Sequence, residues 1–191
     1  FSGGTLNLAA RHGDVEGAYV LVIYMDVEPP IAFGRELFGE PKKLGRSGLL
    51  RDRDHVHAWV ERHGVRLFDL RADVGDNEGP SRMERTTFNY KARTAAHGRG
   101  LEEDAILTHT RFDVALRALR TGTGSVSLGR GVHDPVDEIE VLEVRRVAFG
   151  QDESAARCRA AATVAADHFL PYHYGRQDDW LALDTAPKAT T

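Results

Sequence analysis

Strand-type runs separated by glycine turns constrain this chain more than any other feature of its sequence. Between His55 and Glu61, apolar Val56, Ala58 and Val60 recur at every second position, the period of a strand with one buried face. His63-Gly64 then leads into Val65 to Ala72, which predicts a hairpin closed on a glycine turn. Ala18 to Asp26 is rich in Val, Ile and Tyr and is apolar on both faces, as expected of a buried central strand. Thr86 to Arg93, Ala105 to Phe112 and Val136 to Phe149 are further strand candidates, the last long enough to bend or carry a bulge. The stretch from Gly75 to Ser81 reads as a loop. Gly122 to Gly131 lacks the Gly-Lys-Ser/Thr ending of a phosphate-binding loop and reads as a strand bounded by glycine turns. One segment breaks the pattern: Ser154 to Phe169 is alanine-rich, predicting a helix capped by Ser154, with Cys158 buried in it and Pro171 ending it. The expected fold class is therefore α+β, mainly antiparallel β, with a C-terminal helix. Pro171 to Trp180 is aromatic and polar, and Asp184 to Thr191 reads as a tail.

Composition narrows the function. With 191 residues and 41% apolar content, the chain can bury one core, and 1–191 reads as a single domain. Basic and acidic residues nearly balance, 25 against 29, and no basic block marks a nucleic-acid partner. The apolar run from Ala18 to Met25 is too short to span a bilayer, so no membrane partner is expected. Cys158 is the single cysteine, which excludes an intrachain disulfide and fits a reducing, cytoplasmic setting. The nine histidines, including His55 and His57 on one strand face and His168 and His173 near the end, form no HExxH or Cys/His ligand pattern, so no metal is expected. No G-x-S-x-G elbow is present.

The chemistry concentrates in Glu28 to Gly45, where Pro41 precedes the adjacent lysines Lys42 and Lys43 behind a mostly apolar, strand-like approach. A lysine pair on a turn is, by itself, most simply two side chains facing water. An amine that is desolvated, or set beside a second cation, loses its preference for the charged form and can attack a carbonyl carbon to give a Schiff base.

Gly34-Arg35-Glu36-Leu37 followed by Pro41-Lys42-Lys43-Leu44-Gly45, with Tyr24-Met25-Asp26-Val27-Glu28-Pro29 upstream, resembles the acetoacetate decarboxylase family. Lysine activation in that family is the standard illustration of the effect. The resemblance implies a curved antiparallel sheet closing into a cone-like β-barrel, a homo-oligomer, and a small keto acid substrate decarboxylated without any cofactor. It implies Lys42 as the imine-forming residue and Lys43 as its catalytic neighbour, with Arg35, Glu36 and Glu40 as substrate-binding candidates. Arg35 and Glu36 would face opposite sides of an extended segment, which favours a structural role for at least one. Two positions depart from the family pattern. Gly3 falls where decarboxylating relatives carry a glutamate, with no carboxylate before Asp14, and Glu40 stands where an aromatic residue is usual. The family also has a segment ahead of the position of Phe1 that supplies an arginine and a glutamate. Loss of the glutamate opens a second reading, the same imine used for aldol or dehydration chemistry on a larger keto acid. A third is a non-catalytic, carbonyl-binding barrel.

Overall fold

The computed structural model describes residues 1–174. Eleven strands and two α-helices follow in order: β1 (Gly3–His12), β2 (Val15–Met25), α1 (Glu28–Phe33), β3 (Lys42–Leu44), β4 (Arg46–Asp52), β5 (His55–Arg62), β6 (Val65–Val74), β7 (Ser81–Lys91), β8 (Ala105–Leu128), β9 (Arg130–Gly131), β10 (Asp134–Pro135), β11 (Val147–Val164) and α2 (Ala166–His173). The principal sheet has nine strands along the path β1-β2-β7-β8-β6-β5-β4, with β3 joined to β2 and β11 to β8. Most neighbours are antiparallel, while β2 runs parallel to both β3 and β7. The expected mainly antiparallel α+β class is borne out. The sheet curls until Ser2, just ahead of β1, meets β4, the Ser2 and Ser47 hydroxyls lying 2.8 Å apart, yet no backbone ladder joins those two ends among the described residues.

The hairpin forms as the alternation requires. β5 and β6 pair from His55↔Asp73 to Arg62↔Val65, and both turn residues, His63 and Gly64, take positive φ (50° and 77°), the geometry of a tight hairpin turn with matching twist. Tyr24, Val22, Val60, Leu67 and Val136 form one core cluster, and Val56, Ala72, Val74 and Val147 a second. Ala18 to Asp26 falls within β2, whose Tyr24 is fully buried.

Three expected elements differ. Ser154 to Phe169 is not a helix: β11 continues to Val164, paired with β8 residue by residue from Val147↔Gly122 to Val164↔Ala105. The alanines favour a helix only weakly, and the 24-residue strand β8 beside them, which pairs along the whole of β11 with two register shifts, overrides that preference. Cys158 is consequently exposed. The helix that does form, α2, begins after this strand and contains Pro171 instead of ending before it. It is held by Phe169, whose ring lies 4.9 Å from that of Tyr90, and by a 2.9 Å hydrogen bond between His173 and Thr94. Val136 to Phe149 is not one strand either: a short 3-10 turn (Val136–Glu138) gives way to irregular chain before β11 begins. Val136 is buried in the first core cluster and Asp134 in a polar one, which fixes the chain there. The expected tail over 184–191 lies outside the described residues, as does the aromatic stretch beyond Tyr174.

A buried polar cluster forms around Asp134. Asp134, 3% exposed, accepts hydrogen bonds from Lys43 Nζ (2.8 Å), Tyr24 Oη (3.0 Å) and Arg62 Nη1 (2.6 Å). Arg62 Nε also donates to the Leu44 carbonyl (2.8 Å), and Lys43 Nζ to the His133 carbonyl (2.9 Å). Burial pushes the Asp134 carboxyl up, but the hydrogen bonds and charges of Lys43 and Arg62 outweigh it and hold the group below the usual carboxylate range. Replacing Asp134 by Ala strands two buried cations and is expected to cost roughly 3–5 kcal/mol in urea unfolding at pH 7. Because the carboxyl is depressed in the fold, its contribution is complete above the unfolded value near about 4 and is lost as pH falls through the folded one. Asp134→Asn should therefore show a flatter loss of stability below about pH 4 than the wild type.

Candidate active site

The approach to the lysine pair is helical, not strand-like. Pro29 and Pro30 occupy the first turn of α1, where the missing N–H is unneeded and the fixed φ suits the helix. The helix then widens into a π-helical turn, Gly34–Phe38, ended by Gly39 in the left-handed conformation (φ 73°). Gly39 N–H bonds to the Arg35 carbonyl and Glu40 N–H to the Gly34 carbonyl, at 3.2 and 3.1 Å, a C-terminal cap of the type glycine makes easy. A side chain at 39 would also strike Lys91, whose Cα lies 2.6 Å from the position of a Cβ. The chain then passes Pro41 into β3, whose Lys42, Lys43 and Leu44 pair in parallel with Ile23, Tyr24 and Met25.

Strand alternation sends the two lysines to opposite faces. Lys43 points into the Asp134 cluster and lines a cavity of about 260 Å³ with Leu21, Val22, Tyr24 and Val136. Lys42 turns back beneath the helical cap: its Nζ lies 2.8 Å from Glu40 Oε2 and donates to the Pro30 carbonyl at 3.2 Å. The side chains of Lys42 and Glu40 are only 13% and 11% exposed. The pair is close but poorly aligned, and Glu40 Oε2 is buried without a well-directed hydrogen bond. Gly34 makes the arrangement possible, since a Cβ there would stand 2.5 Å from both Lys42 Nζ and Glu40 Oε2.

The other sequence candidates separate. Arg35 Nε donates to the Lys42 carbonyl at 2.6 Å, which ties the cap to β3. Glu36 is exposed on the π-helical turn, so the opposed extended geometry expected for Arg35 and Glu36 gives way to a helical one in which adjacent residues diverge. Gly3 pairs with Met25, and a Cβ there would lie 2.4 Å from the Tyr24 carbonyl. This backbone therefore has no room for a glutamate at that position. His55 and His57 pair with Asp73 and Asp69 respectively. Asp134 and Arg62 carry no local sequence signal, while Tyr24 stands in the motif quoted above and in the buried strand expected over Ala18 to Asp26. Asp134 is 91 residues from Lys43, and only the fold brings them together.

Residues 1–153 match the family model for acetoacetate decarboxylase, and the chain belongs to the acetoacetate decarboxylase family. It is 29% identical over 139 residues to an acetoacetate decarboxylase of Ralstonia nicotianae, covering 67% of this chain and 54% of that protein. The chain thus spans about half the length of the curated relatives it matches. The crystal structure of acetoacetate decarboxylase from Legionella pneumophila is similar in fold, with TM-score 0.73 and 20% identity over 84% of this chain and 66% of that one. The enduracididine biosynthesis enzyme MppR complexed with the condensation product of pyruvate and imidazole 4-carboxaldehyde is also similar (TM-score 0.66, 16% identity, 82% and 64% coverage).

The atoms that a Cβ at Gly34 would meet, Glu40 Oε2 and the Nζ and Cδ of Lys42, belong to flexible side chains and not to backbone. Gly34→Ala should therefore cost no more than about 1 kcal/mol in thermal or urea unfolding, while displacing the Lys42 amine and lowering any Lys42-dependent turnover by more than about tenfold.

Proposed function

We propose that this chain is a Schiff-base-forming lyase acting on a small β-keto acid. The observation that carries the reading is the position of Lys42: a largely buried amine beneath the helical cap, at the motif position of the family's imine-forming lysine, with no side chain at Gly34 to crowd it. Lys42 Nζ attacks the ketone carbon and water leaves. The resulting iminium draws the electrons of the bond to the carboxylate carbon, and carbon dioxide departs. The enamine left behind is protonated and hydrolysed, which regenerates the lysine. Arg35, anchored on the Lys42 carbonyl, is the proposed partner of the substrate carboxylate, with exposed Glu36 at the rim. Lys43, expected to act as a catalytic neighbour, is here assigned to holding β3 through Asp134.

The second reading, aldol or dehydration chemistry on a larger keto acid, is favoured by Gly3, which neither carries nor has room for the carboxylate of decarboxylating relatives. The MppR neighbour bound to a pyruvate condensation product is consistent with it. A third reading, a carbonyl-binding barrel without catalysis, predicts an unreactive Lys42. The curled sheet is read as the wall of a cone-like barrel, and a cytoplasmic homo-oligomer is the proposed setting. The exposed 18-residue β11, paired among the described residues with β8 alone, supports an assembly. Among the described residues no helix is long and apolar enough to cross a membrane.

Borohydride reduction in the presence of acetoacetate or of acetopyruvate, read by intact mass and peptide mapping, tests the proposal. An adduct on Lys42 is expected, absent in Lys42→Ala, and its mass shows whether carbon dioxide has left. An adduct retaining the carboxyl group with acetopyruvate alone selects the aldol or dehydration reading. No adduct with either compound selects the binding reading.

A further inference from the structure

We propose that Glu40 is the acid–base group of the Lys42 imine cycle, an assignment that rests on the Schiff-base reading above. Among the described residues Glu40 is the carboxylate paired with Lys42, at 2.8 Å. Its position is fixed from both sides: the left-handed Gly39 cap and the hydrogen bond from its own N–H to the Gly34 carbonyl precede it, and Pro41 follows. Its Oε2 is buried and lacks a directed donor, so this oxygen is held against the ammonium by charge, with a lone pair available to receive a proton. At Gly3, where decarboxylating relatives carry a carboxylate, the backbone leaves no space for one. In this chain the acidic function is assigned to Glu40, two residues ahead of the lysine.

The resting pair is an ammonium beside a carboxylate, which is unreactive toward a ketone. When a ketone enters, Lys42 passes a proton to Glu40, becoming a neutral amine. The nitrogen lone pair forms the bond to the carbonyl carbon while the π electrons move to oxygen, and a proton shifts from nitrogen to that oxygen to give the carbinolamine. Glu40 returns its proton to the hydroxyl, the carbon–oxygen bond breaks with its electron pair leaving in water, and the nitrogen lone pair closes the iminium. Lysine ammonium, carboxylate and ketone become iminium, carboxylate and one water, with charge and atoms conserved. Glu40 ends as an anion beside the new cation, which stabilises it.

Glu40→Gln separates this role from a structural one because two readouts move in opposite directions. With the carboxylate gone, the Lys42 amine loses the ion-pair partner at 2.8 Å that holds it, so labelling by trace acetic anhydride at pH 7, read at the Lys42 peptide, should rise several-fold. The initial rate of imine trapping with acetoacetate and borohydride should fall at least tenfold, and its pH profile should lose the limb that reports the carboxylate. Glu40→Asp, which retains a titrating group, should recover part of that rate. A wild-type rate of trapping in Glu40→Gln would overturn the assignment, as would a fall in both labelling and trapping, or an Asp variant no faster than Gln. A wild type that traps no imine overturns the Schiff-base reading itself, and this assignment with it.

Discussion

The carboxylate of Asp134, set between Lys43 and Arg62 and capped by the Tyr24 hydroxyl, is the interaction on which the rest of the arrangement depends. Two cations and one anion buried together carry a desolvation cost that only close, directed contacts can offset. Each of the contacts here joins a different part of the fold. Tyr24 belongs to β2, Lys43 to β3, Arg62 to the end of β5, and Asp134 to the short β10 that opens the irregular connection toward β11. The cluster therefore fixes β3 in place. That strand is only three residues long, too short to hold its register by backbone pairing alone.

With Lys43 committed to that cluster, the pleat of β3 directs Lys42 to the other face. There the cap built by α1 and the π-helical turn closes over it. Adjacent residues of one type thus acquire different surroundings: one cation lies against the Asp134 carboxylate and the His133 carbonyl in the core, the other against the Glu40 carboxylate under a small helical lid. A lysine pair that stands side by side in the sequence becomes, in the fold, one cation that anchors β3 and one that the proposed function assigns to chemistry. The glycines at 34 and 39 are what let the lid close this tightly, the first by leaving room for the amine and the second by turning the chain.

Much of the sheet was legible in the sequence. The alternation of Val56, Ala58 and Val60, the His63-Gly64 turn and the apolar run to Asp26 each gave an element where it is found, because local period and turn chemistry decide such segments. The alanine-rich stretch after Ser154 was misread since its strand character comes from β8, a partner distant in sequence, and not from its own residues. Likewise Val136 to Phe149 reads as a long strand but is pinned at Asp134 and Val136, a tertiary constraint without local trace. The segment before Pro41 looked extended because its apolar residues and prolines are ambiguous between strand and first helical turn. Of the site, the motif residues around Lys42 were readable and so was the oddity of Glu40. The ion pair between them was not, since it depends on the turn at Gly39, and Asp134 was invisible because its partners lie tens of residues away.

The claim that most of this rests on is the electrostatic separation of the two lysines, and competitive labelling of the folded wild-type chain tests it most directly. Trace acetylation followed by peptide mapping gives the reactivity of Lys42 and Lys43 in the same molecule, folded and in urea. The account predicts that folded Lys42 reacts more than about tenfold faster than Lys43, and that the two become alike once the chain is unfolded. Equal labelling in the folded state, or faster labelling of Lys43, would contradict it.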